Sequence, residues 1–101
     1  MPNRVYPDLN KLRVEVNDLI DRGQVVVHHH ARKSHPEFTD VERIAVVRFG
    51  GRIQRDRSRR TEEGVYVCWA QLPSHGLCRA VFCVGADLEG DYLLIITVFG
   101  E

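Results

Sequence analysis

The segment Tyr92–Phe99 most constrains the fold, because nearly every side chain in it is apolar. A strand with one solvated face alternates apolar and polar residues, whereas a central strand is apolar on both sides. Leu93 and Ile95 would lie on one face and Leu94 and Ile96 on the other. The run is far shorter than the roughly 18 residues of a membrane-spanning helix. It therefore predicts a central strand, covered on one side by helices, in a protein with no membrane span.

A first helix is predicted at about residues 7–22. Leu12, Val16 and Leu19 recur at spacings of three and four residues, so they form one apolar stripe on a helix. Gly23 follows at the position where a left-handed C-terminal cap is favoured. A short β-branched strand is then predicted at residues 24–27.

A second helix is predicted to begin at Thr39. Thr39 and Glu42 have the capping-box spacing, in which each side chain accepts a hydrogen bond from the other's backbone N–H. Gly50 and Gly51 are predicted to end the helix. Its buried face is predicted to consist of Val41, Ile44, Ala45 and Val47.

The rest of the chain has the pattern of strands separated by short turns. Strands are predicted at residues 52–56, 65–72, 77–84 and 91–99. The 101 residues favour a single domain, 1–101. Helices followed by strands favour an α+β fold: two N-terminal helices packed on an antiparallel meander sheet of three to five strands. The predicted common core contains Leu12, Val16, Val81, Phe82, Leu93 and Ile95.

Composition excludes a disordered chain and a disulfide framework. The chain is 44% hydrophobic with a formal net charge of zero, whereas disordered chains combine low hydrophobicity with charge imbalance. Three cysteines are an odd number, and their spacing matches no redox or zinc pattern. We therefore predict that they are buried free thiols of a cytoplasmic protein. The three cysteines are Cys68, Cys78 and Cys83.

Zero net charge conceals one basic segment, residues 43–60, which holds seven arginines and a single acid, Asp56. Arginine binds phosphates bidentately and stacks on bases, so such a segment suits a nucleic-acid partner. The alternative is a solvated loop that keeps a strand edge unpaired. The predicted RNA-binding residues are Arg52, Arg55, Arg57, Arg59 and Arg60, with Arg43 and Arg48 completing the basic segment.

Four histidines, His28, His29, His30 and His35, lie within eight residues. If the preceding strand continues, His28 and His30 share one face of it. Histidine serves in acid–base catalysis near neutral pH and as a metal ligand, but most histidines are structural. No recognised zinc spacing is present, so neither a metal nor another cofactor is expected.

Three short strings resemble sequences of the RelE-like toxins, in particular the MqsR and BrnT branches and their relatives. The first is Leu19–Val25, in which a predicted helix ends at a glycine and a short strand follows. The second is His30–Arg32, and the third is the closing Leu94–Phe99. The resemblance implies a RelE-like fold and a metal-independent endoribonuclease that an antitoxin protein holds silent. RNA and an antitoxin are then the expected partners.

In that chemistry the ribose 2′-OH attacks the adjacent phosphate, so DNA cannot be a substrate. Among the matched positions, only His30 and Thr97 correspond to residues that look functional in the related proteins. Arg32 follows by its proximity to His30. Arg79 is added because an arginine at the start of an apolar strand is difficult to explain by packing. The predicted catalytic residues are His30, Arg32, Arg79 and Thr97.

Two other classes of function remain open on the sequence. The chain could be a non-catalytic interaction module, such as an antitoxin, an immunity protein or an adaptor. It could also be a small hydrolase whose metal is bound by the histidine cluster. Scarce lysine and zero net charge depart from the basic RelE-like pattern and argue against ribosome-dependent cleavage.

Overall fold

A computed structural model describes residues 3–58 and 63–101 and has an α+β fold. Helices precede most of the sheet, which confirms the predicted α+β class. The elements are α1 (Leu9–Asp21), β1 (Val25–Val27), α2 (His29–Ser34), α3 (Asp40–Phe49), β2 (Gly51–Arg55), β3 (Val65–Leu72), β4 (Gly76–Asp87) and β5 (Gly90–Gly100).

The five strands form one mixed sheet in the order β1-β5-β4-β3-β2. Strands β2 to β5 are antiparallel neighbours, as predicted for a meander. Strand β1 instead pairs parallel to β5, with Val25 opposite Leu93. The prediction of a purely antiparallel sheet is therefore wrong. No hairpin links β1 to its partner, because two helices and three strands intervene.

The prediction of two helices is also wrong, because the histidine run forms a third helix, α2. His28 has an extended backbone, and its Nδ1 accepts a hydrogen bond from the backbone N–H of His30 at 3.1 Å. His28 therefore caps the helix in the manner of a short polar N-cap residue. Strand β1 ends at Val27, so the histidines do not alternate across a sheet.

The predicted capping box at the start of α3 is confirmed. The Thr39 hydroxyl accepts from the Glu42 N–H at 3.1 Å, and the Glu42 carboxylate accepts from the Thr39 N–H at 2.9 Å. The other oxygen of Glu42 accepts from the Ser74 hydroxyl at 2.9 Å and lies 3.0 Å from Nε2 of His75. Glu42 thus also attaches the β3–β4 turn to α3.

The main core lies on the face of the sheet that α1 and α3 cover. Five of the six predicted core residues belong to it, and Leu12, Phe82 and Ile95 are fully buried there. Val81 does not, because alternation along β4 turns it to the opposite side. That opposite side, called the second face here, carries a smaller cluster without helix residues in the described chain. It comprises Val65, Val67 and Val81 with Trp69, Ile96 and Phe99 packed against them.

The predicted buried face of α3 is partly wrong. Val41 is 78% exposed, whereas Arg43 is buried. The guanidinium of Arg43 donates to Asp40 at 2.6 Å and to the His35 carbonyl at 2.9 Å, so these hydrogen bonds offset part of its desolvation, whereas its buried Nε has no partner within the described chain. The helix is therefore rotated relative to the apolar pattern of its sequence.

The three cysteines are buried, as predicted, and Cys68 and Cys78 are free thiols. Burial raises the pKa of Cys68 to about 11, so this thiol stays protonated. Among residues 3–58 and 63–101, no helix is long and apolar enough to cross a membrane.

Candidate nucleic-acid site on the second face

One row of side chains crosses three neighbouring strands on the second face. Strand pairing places Trp69 opposite Arg79 and Arg79 opposite Phe99. The guanidinium carbon of Arg79 lies 5.3 Å from the centroid of each aromatic ring. These distances are within the range of cation–π attraction. The row, called the platform below, therefore presents two aromatic rings with a cation between them.

Glu101 fixes the cation of the platform. One oxygen, Oε1, accepts from Nε of Arg79 at 2.6 Å and from the indole N–H of Trp69 at 2.9 Å. These two donors lower the pKa of Glu101, with the Trp69 hydrogen bond as the larger cause. The sequence alone does not mark Trp69, Phe99 or Glu101 as site residues, because only the strand register brings them together.

A shallow groove with a volume of about 510 Å³ lies beside the platform. Arg52 lines it from β2, where the pairing with β3 is interrupted by a bulge. Arg52 has a φ of 54°, in the left-handed region that residues other than glycine seldom adopt. Backbone strain of this kind is concentrated at functional sites in proteins. The groove is lined by Gly51, Arg52, Trp69, Ala70, Gln71, Leu77, Arg79 and Glu101.

An imidazole, that of His35, also contacts Phe99. The His35 ring centroid is 5.8 Å from that of Phe99, and the His35 side chain is 33% exposed. Helix α2 contacts β5 directly, which places its C-terminal end beside the platform. The sequence placed His35 in the histidine cluster but gave no reason to prefer it, because its contact with Phe99 depends on the position of α2.

The structure does not bring His30 and Arg32 together. They are two residues apart on α2, so their side chains leave the helix on roughly opposite sides. Nε2 of His30 lies 3.1 Å from the Ser34 hydroxyl. Arg32 instead donates to both oxygens of Asp40, with a shortest distance of 2.7 Å. The Arg32 guanidinium lowers the pKa of Asp40, the Arg43 guanidinium adds to this, and a phosphate would have to compete with that carboxylate for Arg32.

Thr97 lies on β5 opposite Val81 and is half-buried. Val81 belongs to the second-face cluster, and Phe99 follows Thr97 two residues later on the same strand. Thr97 and Arg79 therefore share the second face, whereas the side chain of Arg32 is directed towards α3.

The predicted basic segment does not form one surface. Arg43 is bound to Asp40, and Arg48 donates to Asp21 at 2.5 Å. Arg55 pairs with Tyr66, whose side chain belongs to the main core, so Arg55 lies on the opposite side of β2 from the platform. With Arg57 it lines a separate groove of about 430 Å³. Arg59 and Arg60 lie outside the described residues.

No group of three or more histidine, cysteine, aspartate or glutamate side chains in the described chain is arranged to hold a metal ion. Comparisons with protein-family models, curated proteins and solved structures find no match.

Proposed function

We propose that this protein is a metal-independent, toxin-like endoribonuclease that holds single-stranded RNA across the second face. The observation that carries the proposal is the platform, in which Arg79 lies between Trp69 and Phe99. Proteins that bind single strands combine aromatic rings, on which bases stack, with cations that contact the backbone. The platform supplies both kinds of group within one row.

The cation of the platform is available to a phosphate. Arg79 uses Nε for Glu101, and no partner of its terminal nitrogens is found among the described residues. Its side chain is 37% exposed. Arg52 is exposed at the edge of the same groove and forms no ion pair within the described chain. Two arginines can therefore contact successive phosphates while bases stack on the rings.

Cleavage without a metal requires a base for the 2′-OH, a cation for the phosphate and a proton donor for the leaving oxygen. In this proposal Arg79 neutralises the phosphate, and Thr97 hydrogen-bonds to it from β5. The proton donor is His35, since its ring contacts Phe99. His30 is the alternative donor that the sequence singled out. Arg32 acts indirectly, because its ion pair with Asp40 holds α2 in place.

The experiment is cleavage of single-stranded RNA oligonucleotides in excess chelator, with matched DNA as the negative control. We expect products that end in a 2′,3′-cyclic phosphate and a 5′-hydroxyl. Arg79→Ala should abolish cleavage, whereas Arg22→Ala is the matched control. Within the part of the chain that the structure describes, Arg22 forms its ion pair with Asp18 on α1, away from the platform. Parallel His30→Ala and His35→Ala variants identify the proton donor, whose loss should cost about 10²–10⁴-fold in rate.

RNA binding without cleavage would instead indicate a non-catalytic interaction module. Activity that disappears with chelator would favour the metal hydrolase. If an antitoxin partner exists, an acidic segment of it would compete with RNA for Arg52 and Arg79, and added RNA would then displace it. A toxin acting on cellular RNA would work in the cytoplasm, so induced expression in a bacterial host should arrest growth.

A further inference from the structure

Two neighbouring side chains that line the groove, Glu101 and Arg79, carry polar atoms without partners within the described chain. Oε1 of Glu101 accepts both hydrogen bonds from the platform, and within the described chain Oε2 has no partner. The terminal nitrogens of Arg79 are equally without partners there. The two side chains are 31% and 37% exposed. One carboxylate acceptor and one guanidinium fork are thus held together and accessible from the groove.

This pair complements one part of a ribonucleotide. In RNA the 2′-hydroxyl and the 3′-phosphate occupy neighbouring carbons of the same ribose, and the hydroxyl is what distinguishes RNA from DNA. A carboxylate accepts a hydrogen bond from a hydroxyl, and a guanidinium donates to a phosphate. One ribose could therefore contact both groups at the same time.

We propose that the groove is a ribonucleotide site in which Glu101 accepts the 2′-hydroxyl proton while Arg79 holds the adjacent phosphate. This inference rests on the proposed function, and it makes Glu101 the catalytic base of the cleavage. The nucleobase of the same nucleotide stacks on Trp69, whose ring forms a wall of the groove.

In the cleavage step Glu101 gains one proton and His35 loses one. Oε2 of Glu101 takes the 2′-hydroxyl proton as the 2′-oxygen forms a bond to phosphorus. The bond from phosphorus to the 5′-oxygen breaks, and that oxygen takes a proton from the imidazolium of His35. The products are a 2′,3′-cyclic phosphate and a free 5′-hydroxyl. Glu101 then releases its proton, and His35 regains one, through water.

The contacts of Glu101 prepare it for this role. Hydrogen bonds from Trp69 and Arg79 to Oε1 orient the carboxylate and leave Oε2 without a partner within the described chain. The same donors lower its pKa, so the carboxylate is ionised at neutral pH. A weakly basic carboxylate contributes at the lower end of the range for general bases, about 10²-fold.

The first test is Glu101→Gln, which preserves the shape of the side chain and an oxygen for Trp69 and Arg79. Cleavage should fall about 100-fold, while binding of an oligonucleotide with a 2′-deoxy sugar at the cleavage position stays within twofold. Glu89→Gln, in the exposed β4–β5 turn, is the matched control and should cleave like the wild type. Trp69 is the only tryptophan, so unchanged fluorescence confirms an intact site. Cleavage by Glu101→Gln at the wild-type rate would overturn the inference.

A binding measurement separates this inference from the proposed function. Wild-type protein should bind an RNA oligonucleotide more tightly than its DNA counterpart, and Glu101→Gln should lose that preference. If the wild type cleaves nothing but shows this pattern, the proposed cleavage fails and the ribonucleotide site stands. Equal binding of RNA and DNA by the wild type would overturn the site. Loss of binding to both by Glu101→Gln would show that Glu101 only positions Arg79. If Glu101→Gln does not fold, Glu101→Asp should lose the same preference.

Discussion

The split of the basic segment between two sides of the sheet yields the sharpest prediction for RNA binding. Arg52 and Arg79 line the groove of the platform, whereas Arg55 and Arg57 line the separate groove. Each phosphate contact on a single strand contributes about −0.7 to the slope of log affinity against log salt. Replacing both platform-side arginines with glutamine should therefore flatten the slope by about 1.4. The paired variant Arg55→Gln/Arg57→Gln removes the same charge from the other side and should leave the slope nearly unchanged.

The assay is fluorescence anisotropy of a labelled oligonucleotide over a series of KCl concentrations, with the cleavage position blocked by a 2′-deoxy sugar. Surface ion pairs contribute about 0–1 kcal/mol, so the melting temperatures of both variants should stay close to that of the wild type. A wild-type slope in Arg52→Gln/Arg79→Gln would refute the platform as the binding surface. Equal flattening in both variants would mean that the whole basic segment binds, as its sequence suggested.

Three further predictions concern the fold. Thr39→Ala should lower the free energy of unfolding by about 1 kcal/mol in urea denaturation through loss of the cap, and Thr39→Ser should restore it. Leu12→Ala should lower the free energy of unfolding by about 2–5 kcal/mol because it leaves a cavity, whereas Val41→Ala should lower it by less than about 0.5 kcal/mol. Equal losses in the two variants would contradict the assigned orientation of α3. Backbone and side-chain hydrogen bonds lower the pKa of Glu42 in the folded protein. The ionised carboxylate therefore stabilises the fold at pH values above its ordinary pKa, and this contribution is lost as the pH falls through the lowered pKa. Denaturation of Glu42→Gln across acidic pH should show a smaller decline than the wild type, and parallel curves would exclude this contribution.

Local interactions made parts of the fold predictable. The capping box requires only Thr39 and Glu42, three residues apart, and the structure forms it as predicted. The apolar stripe of α1 likewise needs no distant partner to be recognised. The histidine helix was missed because its cap is a histidine, a residue that seldom has this role, and because β-branched residues precede it.

The site was largely hidden because it depends on long-range pairing. Trp69, Arg79 and Phe99 are neighbours only through the registers of β3, β4 and β5. Burial of Arg43 depends on Asp40 and on a carbonyl in the preceding helix, which an apolar pattern does not reveal. Counting the arginines together was misleading for the same reason, since neighbours along a strand point to opposite sides of the sheet.

The parallel pairing of β1 with β5 has a consequence for how the protein is made. Val25 meets Leu93 only after β2, β3 and β4 have been synthesised, and closing so long a loop costs more entropy than forming the hairpins between β2 and β5. Helix α2 rests on β5, so its histidines are positioned only when that strand is in place. A nascent chain that still lacks β5 has neither Phe99 nor a fixed His35. The site therefore stays unassembled during synthesis until translation has passed β5.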